Sequence, residues 1–387
     1  MVGRGPTALG ALRSLRLAGI PTFVACPRDD QTTRSRWYRP MPGPTPWRGT
    51  LDRPALATLH DLPFVEAVLI PCADDAALWL ADLRQSDLAS RFKVSTSSRA
   101  TLEILQDKVR FANFLAGTDI PHPRTYSIGS SADIDLVPFD ELDRVFIKPA
   151  DSQKFSDITG AKAVWAHNRR ELAEIWHRLD RQGFKLLAQE YVPGSAADHY
   201  FVDGFRDRNG ALTGLLARRR TRIFPPDFGN SSYCTSIALK DVPGPIDSVT
   251  RLLSKLDYRG IFSAEFKRDA RDGKYRILEV NTRAWTYVEF AARCGVNVCE
   301  MAWQDAKGQP VTVASTDYPV GAGCVDLYRD INSIRTQEKA VRGPLSRILW
   351  QWARAHFHSF RLDDPGPAIA VLWRILARHG RRRLGVE

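Results

Sequence analysis

Ser263-Ala264-Glu265-Phe266-Lys267 and Ile277-Leu278-Glu279-Val280-Asn281-Thr282-Arg283 are the two stretches that decide the fold. Each alternates, so Ser263, Glu265 and Lys267 share one face of one strand, and Glu279, Asn281 and Arg283 share one face of the next. The turn residues Asp269 to Gly273 let the two strands pair antiparallel, which brings Glu265 and Glu279 to the same end of a sheet. Two carboxylates and an amide oxygen make a hard oxygen site suited to Mg2+ alongside substrate phosphates. Arg283 next to them suits a transferring phosphoryl group. The competing reading is a solvated acidic strand face with a structural Asn and Arg.

Upstream of this pair, Lys148 ends the apolar run Val145-Phe146-Ile147, and Lys108 follows the helix-starting Asp107. A lysine emerging from a buried strand holds phosphate as a point charge. Read singly, each is an exposed charge. The stretch from Val145 is rich in strands with short Gly, Asp and Asn turns, an α+β unit with a mostly antiparallel sheet. It predicts strands at 145–148, 162–166, 186–191, 200–205, 212–219, 261–268 and 275–281, with helices at 169–181, 246–256 and 288–293. Residues 1–95 alternate helix and strand, as in a small parallel sheet with covering helices. Helices are predicted at 7–18 and 74–83 and strands at 21–26 and 64–71. Gly3-Arg4-Gly5 arrives so early that the first strand of this unit is expected to be missing, and the glycines read as a structural turn.

The pattern over about residues 95–305 resembles the ATP-grasp superfamily, in particular its carboxylate–amine ligase (carbamoyl-phosphate-synthase-like ATP-binding) group. The resemblance implies an α/β pre-ATP-grasp domain (1–95) and an α+β ATP-grasp fold (96–310). Two lobes, about 108–185 and 186–310, would clasp ATP, and a mostly helical C-terminal extension (311–387) follows. It implies Lys108, Lys148 and Lys154 on the nucleotide, Glu190 and the backbone of Val192 facing adenine, and Asp198 on the ribose. Glu265, Glu279 and Asn281 would hold Mg2+, with Mn2+ as a substitute, and Arg283 would face phosphate. The loop 150–160 departs from the usual glycine-rich cover. It holds only Gly160, with Ser152, Lys154, Ser156 and Thr159 as donors, and Asn281-Thr282-Arg283 stands where Asn-Pro-Arg is common.

Arg218 to Arg222 leads into Phe224-Pro225-Pro226-Asp227-Phe228-Gly229-Asn230. It reads as a clamp in which Arg220, with Arg218 and Arg222 on one face, meets phosphate and an acidic substrate. The alternative is a basic edge strand. The implied activity is a ligase joining a carboxylate to an amine through an acyl phosphate, with small-molecule partners. A kinase acting on a hydroxyl, or a nucleotide-binding subunit without turnover, are the alternatives.

The formal net charge of +11 suggests an anionic ligand or surface. No nucleic-acid motif and no apolar run of membrane-spanning length accompany it. Six cysteines without a CxxC pair, and no apolar leader, lead to a cytoplasmic expectation. The helix expected at 368–378, followed by Arg381-Arg382-Arg383, reads either as a docked helix or as a contact with an anionic membrane surface. Association as a homodimer is left open.

Overall fold

The computed structural model describes residues 1–43, 46–51, 53–142, 144–149, 163–184, 186–226, 229–336 and 343–383. In the N-terminal unit four two-residue strands, β1 (Val2–Gly3), β2 (Ala67–Val68), β3 (Pro71–Cys72) and β4 (Phe92–Lys93), pair in parallel as β1–β3 and β2–β4. Thus a first strand is present, against expectation, although only two residues long. The stretch 21–26 contributes only the bridges Val2 to Ala25 and Val24 to Pro40, because Pro21 and Pro27 at its ends leave little room for a ladder.

Gly3 sits at φ +149°, where a Cβ would lie 2.6 Å from the Cys72 Cβ, so β1 and β3 can approach only with glycine there. The helix Gly5–Leu17 has its first amide held by Asp30 Oδ2 at 2.6 Å. The glycine turn is therefore filled by the chain's own carboxylate.

The small-lobe sheet comprises β5 (Thr125–Ile128), β6 (Val145–Pro149), β7 (Val164–Ala166) and β8 (Leu186–Glu190), in the order β5-β8-β6-β7, all antiparallel. The amphipathic helix Arg169–Asp180 buries Leu172 and Leu179 against it. Here β8 pairs with both β5 and β6, so 186–190 belongs to the small lobe rather than opening the large one.

The large sheet is built from β9 (His199–Arg206), β10 (Leu212–Phe224), β11 (Asn230–Ile237), β12 (Gly260–Arg268), β13 (Tyr275–Asn281), β14 (Gly323–Val325) and β15 (Ala355–Phe357). Their order is β13-β12-β9-β10-β11-β14-β15. All neighbours are antiparallel except β14 and β15. The C-terminal extension therefore supplies two strands to the central sheet besides its helices. One face of β9 and β12 packs Val202, Phe262 and Phe266 against Val249, Leu252 and Leu253 of the helix Pro243–Lys255, which leaves the acidic positions of β12 and β13 on the other side.

Arg13, on the helix Gly5–Leu17, ties the three units together. Its side chain is fully buried, and its Nε and Nη2 reach Asp364 Oδ2 at 3.0 and 2.9 Å. Its Nη1 reaches Glu289 Oε2 at 3.4 Å. Asp364 also accepts from Ser35 Oγ and the Arg36 amide. Asp364 is thus a buried anion shared by these partners. Burial would raise the Glu289 carboxyl, yet His356, Arg13 and Arg293 outweigh it and hold it at about 2.

A pH dependence follows with a definite sign. Stability from Glu289 is full above its ordinary 4.5 and is lost as pH falls through about 2. In Arg13→Ala the acid limb of a urea-midpoint profile is expected to shift to higher pH. An unshifted limb would remove Arg13 from this network.

Candidate active site between the two lobes

The strands β12 and β13 place Glu265 directly opposite Glu279 and Ser263 opposite Asn281, with a bulge just after Glu265. Glu265 Oε1 meets His199 Nδ1 at 2.7 Å and Arg220 Nη2 at 3.1 Å. Burial would raise this carboxyl, but Arg220 and His199 prevail and hold it well below the ordinary range. The Glu279 carboxyl is pushed up, first by the protein around it and then by the Glu265 charge. Two carboxylates at one point, one of them disfavoured as an anion, form a site that a cation would relieve.

Among the described residues no group of three or more His, Cys, Asp or Glu side chains could hold a metal. The set is two carboxylates and one amide, which fits an ion that takes few protein ligands and fills its remaining positions with phosphate oxygens and water. Both contacts on Glu265 fall on Oε1. Asn281 Nδ2 lies 3.4 Å from Glu279 Oε1, so a cation would require the amide to present its oxygen instead.

Across the cleft stands Lys148, its Nζ 3.0 Å from Gln189 Oε1 and 4.6 Å from the Phe146 ring centroid. Burial brings its ammonium down to about 8, with Glu279 opposing and Lys108 adding to the fall. Two cavities of about 340 and 310 Å3 meet here, sharing Lys108, Lys148, Gln189, Leu278 and Glu279 in their walls. The second also has Tyr191, Val192, His199, Arg220, Glu265 and Lys267 in its lining. An apolar shelf of Phe146, Val192 and Leu278 beside a cluster of cations and carboxylates suits a ligand with one flat and one polyanionic end.

The other expected site residues fall as follows. Glu190 lines the second cavity, but its carboxylate is held by Arg271 Nη2 at 2.6 Å and the Arg124 amide at 3.0 Å. Its side chain is thus already partnered within the protein. Asp198 departs from expectation. Its carboxylate accepts from the Ser195 amide and hydroxyl, both at 2.8 Å, which closes a short turn outside the cavity walls. Arg283 reaches Asp74 Oδ2 at 2.9 Å and ties β13 to the N-terminal unit, and it is absent from both linings.

Of the arginine run, Arg218 is engaged by buried Asp203 at 2.6 Å and Arg222 by buried Asp330 at 2.8 and 2.7 Å. Only Arg220 of the three reaches the site, so the expected triple clamp reduces to one guanidinium. Lys154, with Ser152, Ser156 and Thr159, lies outside the described residues.

Two further residues belong to the site. His199 contacts Glu265. Lys267, already on the face of Glu265, is buried with its Nζ 4.5 Å from the Tyr191 ring centroid. The signal for both was alternation along β9 and β12.

No protein-family model matches the chain. A D-aspartate ligase from Enterococcus faecium (strain Aus0004) is 23% identical over 247 residues, 62% of this chain and 58% of that protein. The chain thus spans less than two thirds of the length of the curated relative it matches. Among solved structures, N5-carboxyaminoimidazole ribonucleotide synthetase from Thermus thermophilus is similar at a TM-score of 0.60 and 15% identity, covering 83% of this chain and 80% of that one. The biotin carboxylase domain of Hydrogenobacter thermophilus 2-oxoglutarate carboxylase, solved as a dimer with MgADP, ADP and bicarbonate, gives 0.61 and 16%, covering 83% and 72%. N5-carboxyaminoimidazole synthetase from Staphylococcus aureus, complexed with ADP, gives 0.60 and 14%, covering 83% and 79%. Two antiparallel lobes around a lysine-and-carboxylate cleft, preceded by a small parallel αβ unit, give this chain the ATP-grasp fold.

Proposed function

We propose that the chain is a Mg–ATP-dependent carboxylate–amine ligase acting in the cytoplasm. The observation that carries this reading is the opposed pair Glu265 and Glu279, facing Lys148 across the cleft with Arg220 on Glu265. Two of the solved structures it resembles hold ADP, one of them with magnesium, and the curated relative is a ligase.

Adenine lies on Phe146, Val192 and Leu278, against the backbone of Val192. Lys108 and Lys148 hold the phosphates. Glu265, Glu279 and Asn281 would hold Mg2+, with Mn2+ as a substitute, which would supply charge neutralisation at the transferring phosphoryl group. A substrate carboxylate oxygen attacks the γ-phosphorus, the bond to the β-phosphate oxygen breaks, and ADP leaves. An amine nitrogen then attacks the acyl carbon, inorganic phosphate departs, and the amine gives up its proton. No protein nucleophile is needed, so positioning and charge neutralisation do the work. Arg220 is the guanidinium placed to assist, because Arg283 is held by Asp74.

An ADP-release screen over acids and amines, opening on D-aspartate, identifies substrates. With the active acid 18O-labelled in its carboxyl group, one labelled oxygen is expected in the phosphate released. A stable phosphoryl ester with no free phosphate would instead establish the kinase reading. ATP bound without ADP formation on any pair would favour a subunit without turnover.

The lysine supplies a pH test. Below about 8 Lys148 is charged in the free protein, and above it the ammonium is lost. The dissociation constant for ATP is therefore expected to be flat up to about 8 and then to rise roughly tenfold per pH unit. Lys148→Arg should flatten that rise, and a wild-type profile that stays flat would remove Lys148 from the phosphate site.

A further inference from the structure

The helix Gly366–Arg383 roots against the N-terminal unit, where a Cβ on Gly366 would strike the Arg34 carbonyl. Beyond that root Ile369, Leu372, Trp373 and Leu376 are each more than half exposed. Their spacing of i, i+3, i+4 and i+7 makes one continuous apolar stripe. A docked helix would bury that stripe, so the ordinary packed reading of this segment is not what the structure shows. The preceding helix Leu345–Arg354 repeats the chemistry. Leu345, Leu349 and Trp350 are more than half exposed, and the Arg354 guanidinium lies 5.0 Å from the Trp350 ring centroid.

Charge selects what covers these faces. Between Gly343 and Arg383 the sequence has eight arginines against two acidic residues, Asp363 and Asp364. Asp364 is buried on Arg13, and Asp363 is paired with Arg361 at 2.6 Å. A second copy, itself at +11, would bring arginine against arginine. An anionic bilayer surface accepts both parts, taking Trp, Leu and Ile into the headgroup–acyl boundary while its phosphates meet the guanidinium groups.

At the root of the helix lies a cavity of about 230 Å3 lined by Arg16, Arg36, Arg39 and Trp37, with no acidic residue in its wall. Arg36 is joined to the helix start by its amide on Asp364 Oδ1 at 2.8 Å and its Nη1 on the Asp363 carbonyl at 3.1 Å. Among the described residues no helix is long and apolar enough to cross a membrane, so the contact is one of lying on the surface.

We propose that the C-terminal helices dock this enzyme onto an anionic lipid surface, with Ile369, Leu372, Trp373 and Leu376 inserted. The test is flotation of the full chain with vesicles of phosphatidylglycerol and phosphatidylcholine, compared with phosphatidylcholine alone. Binding is expected only to the anionic vesicles and is expected to weaken with added salt. Leu372→Ser/Leu376→Ser should lower vesicle affinity roughly tenfold or more, and Arg374→Glu should lower it for anionic vesicles. ATP binding in the distant cleft should be unchanged in all variants, which separates failure here from failure of the ligase reading.

The proposal is overturned by equal binding to both vesicle types, or by a Ser double variant that floats like the wild type. It is also overturned if the chain ignores vesicles and self-associates through a face that the same variant disrupts, or if it takes a DNA duplex in their place.

Discussion

Glu279→Gln is expected to lower the turnover of ADP formation on the order of 10²–10³-fold. The substitution keeps size and hydrogen bonding, so β13 and its pairing with β12 remain. What it removes is one of the two opposed carboxylates, and with it, on the proposed reading, the charge that would draw a cation between Glu265 and Asn281. Because Glu265 already spends Oε1 on His199 and Arg220, it cannot make up the loss alone. The apparent affinity for Mg2+ should fall together with turnover, while ATP binding without metal should change little, since the lysines and the adenine shelf are untouched. Full activity in Glu279→Gln would break the metal assignment.

The largest stability effect is expected at Arg13, far from that chemistry. Arg13→Ala strands the buried carboxylate of Asp364, which then keeps only Ser35 Oγ and the Arg36 amide among the partners described above. Breaking one side of a buried pair costs about 3–5 kcal/mol because the other charge stays in place. Glu289 suffers less, since Arg361 at 2.8 Å and Arg293 at 3.0 Å still hold it. Urea unfolding should show a lower midpoint in Arg13→Ala. Removing both charges, as in Arg13→Leu/Asp364→Leu, should recover part of the loss, because no unpaired charge is then left buried. An Arg13→Ala midpoint equal to the wild type would show that the network adds nothing to stability.

How far these features were legible in the sequence depends on the range of the interaction behind each. The strand Tyr275–Asn281 and the helices Asp74–Leu83 and Val288–Arg293 have the ends that alternation, periodicity and local stop signals indicated. Those signals lie within a few residues of each other. The strand Asn230–Ile237 was missed because its polar residues are buried and do not alternate with apolar ones. Ser232 donates to Asp330 and Ser236 to the Pro319 carbonyl, partners that are roughly a hundred residues away.

The arginine run was misread for two reasons. Arg218, Arg220 and Arg222 are all buried, but register shifts on both sides of Arg222 break the simple alternation, and Asp203 claims Arg218 across the neighbouring strand while Asp330 claims Arg222 from 108 residues away. Arg283 was drawn away by Asp74 across more than two hundred residues. The carboxylate pair was legible because β12 and β13 are joined by a short turn, so local spacing alone set which residues face each other.

The most direct measurement of the central claim is calorimetric titration of ATP into wild type, Lys148→Met and Glu279→Gln, each with and without Mg2+. The account predicts that Lys148→Met weakens binding in both conditions and that Glu279→Gln loses the enhancement Mg2+ gives the wild type. Binding that is unaffected by either change, or no ATP binding by the wild type, would contradict it.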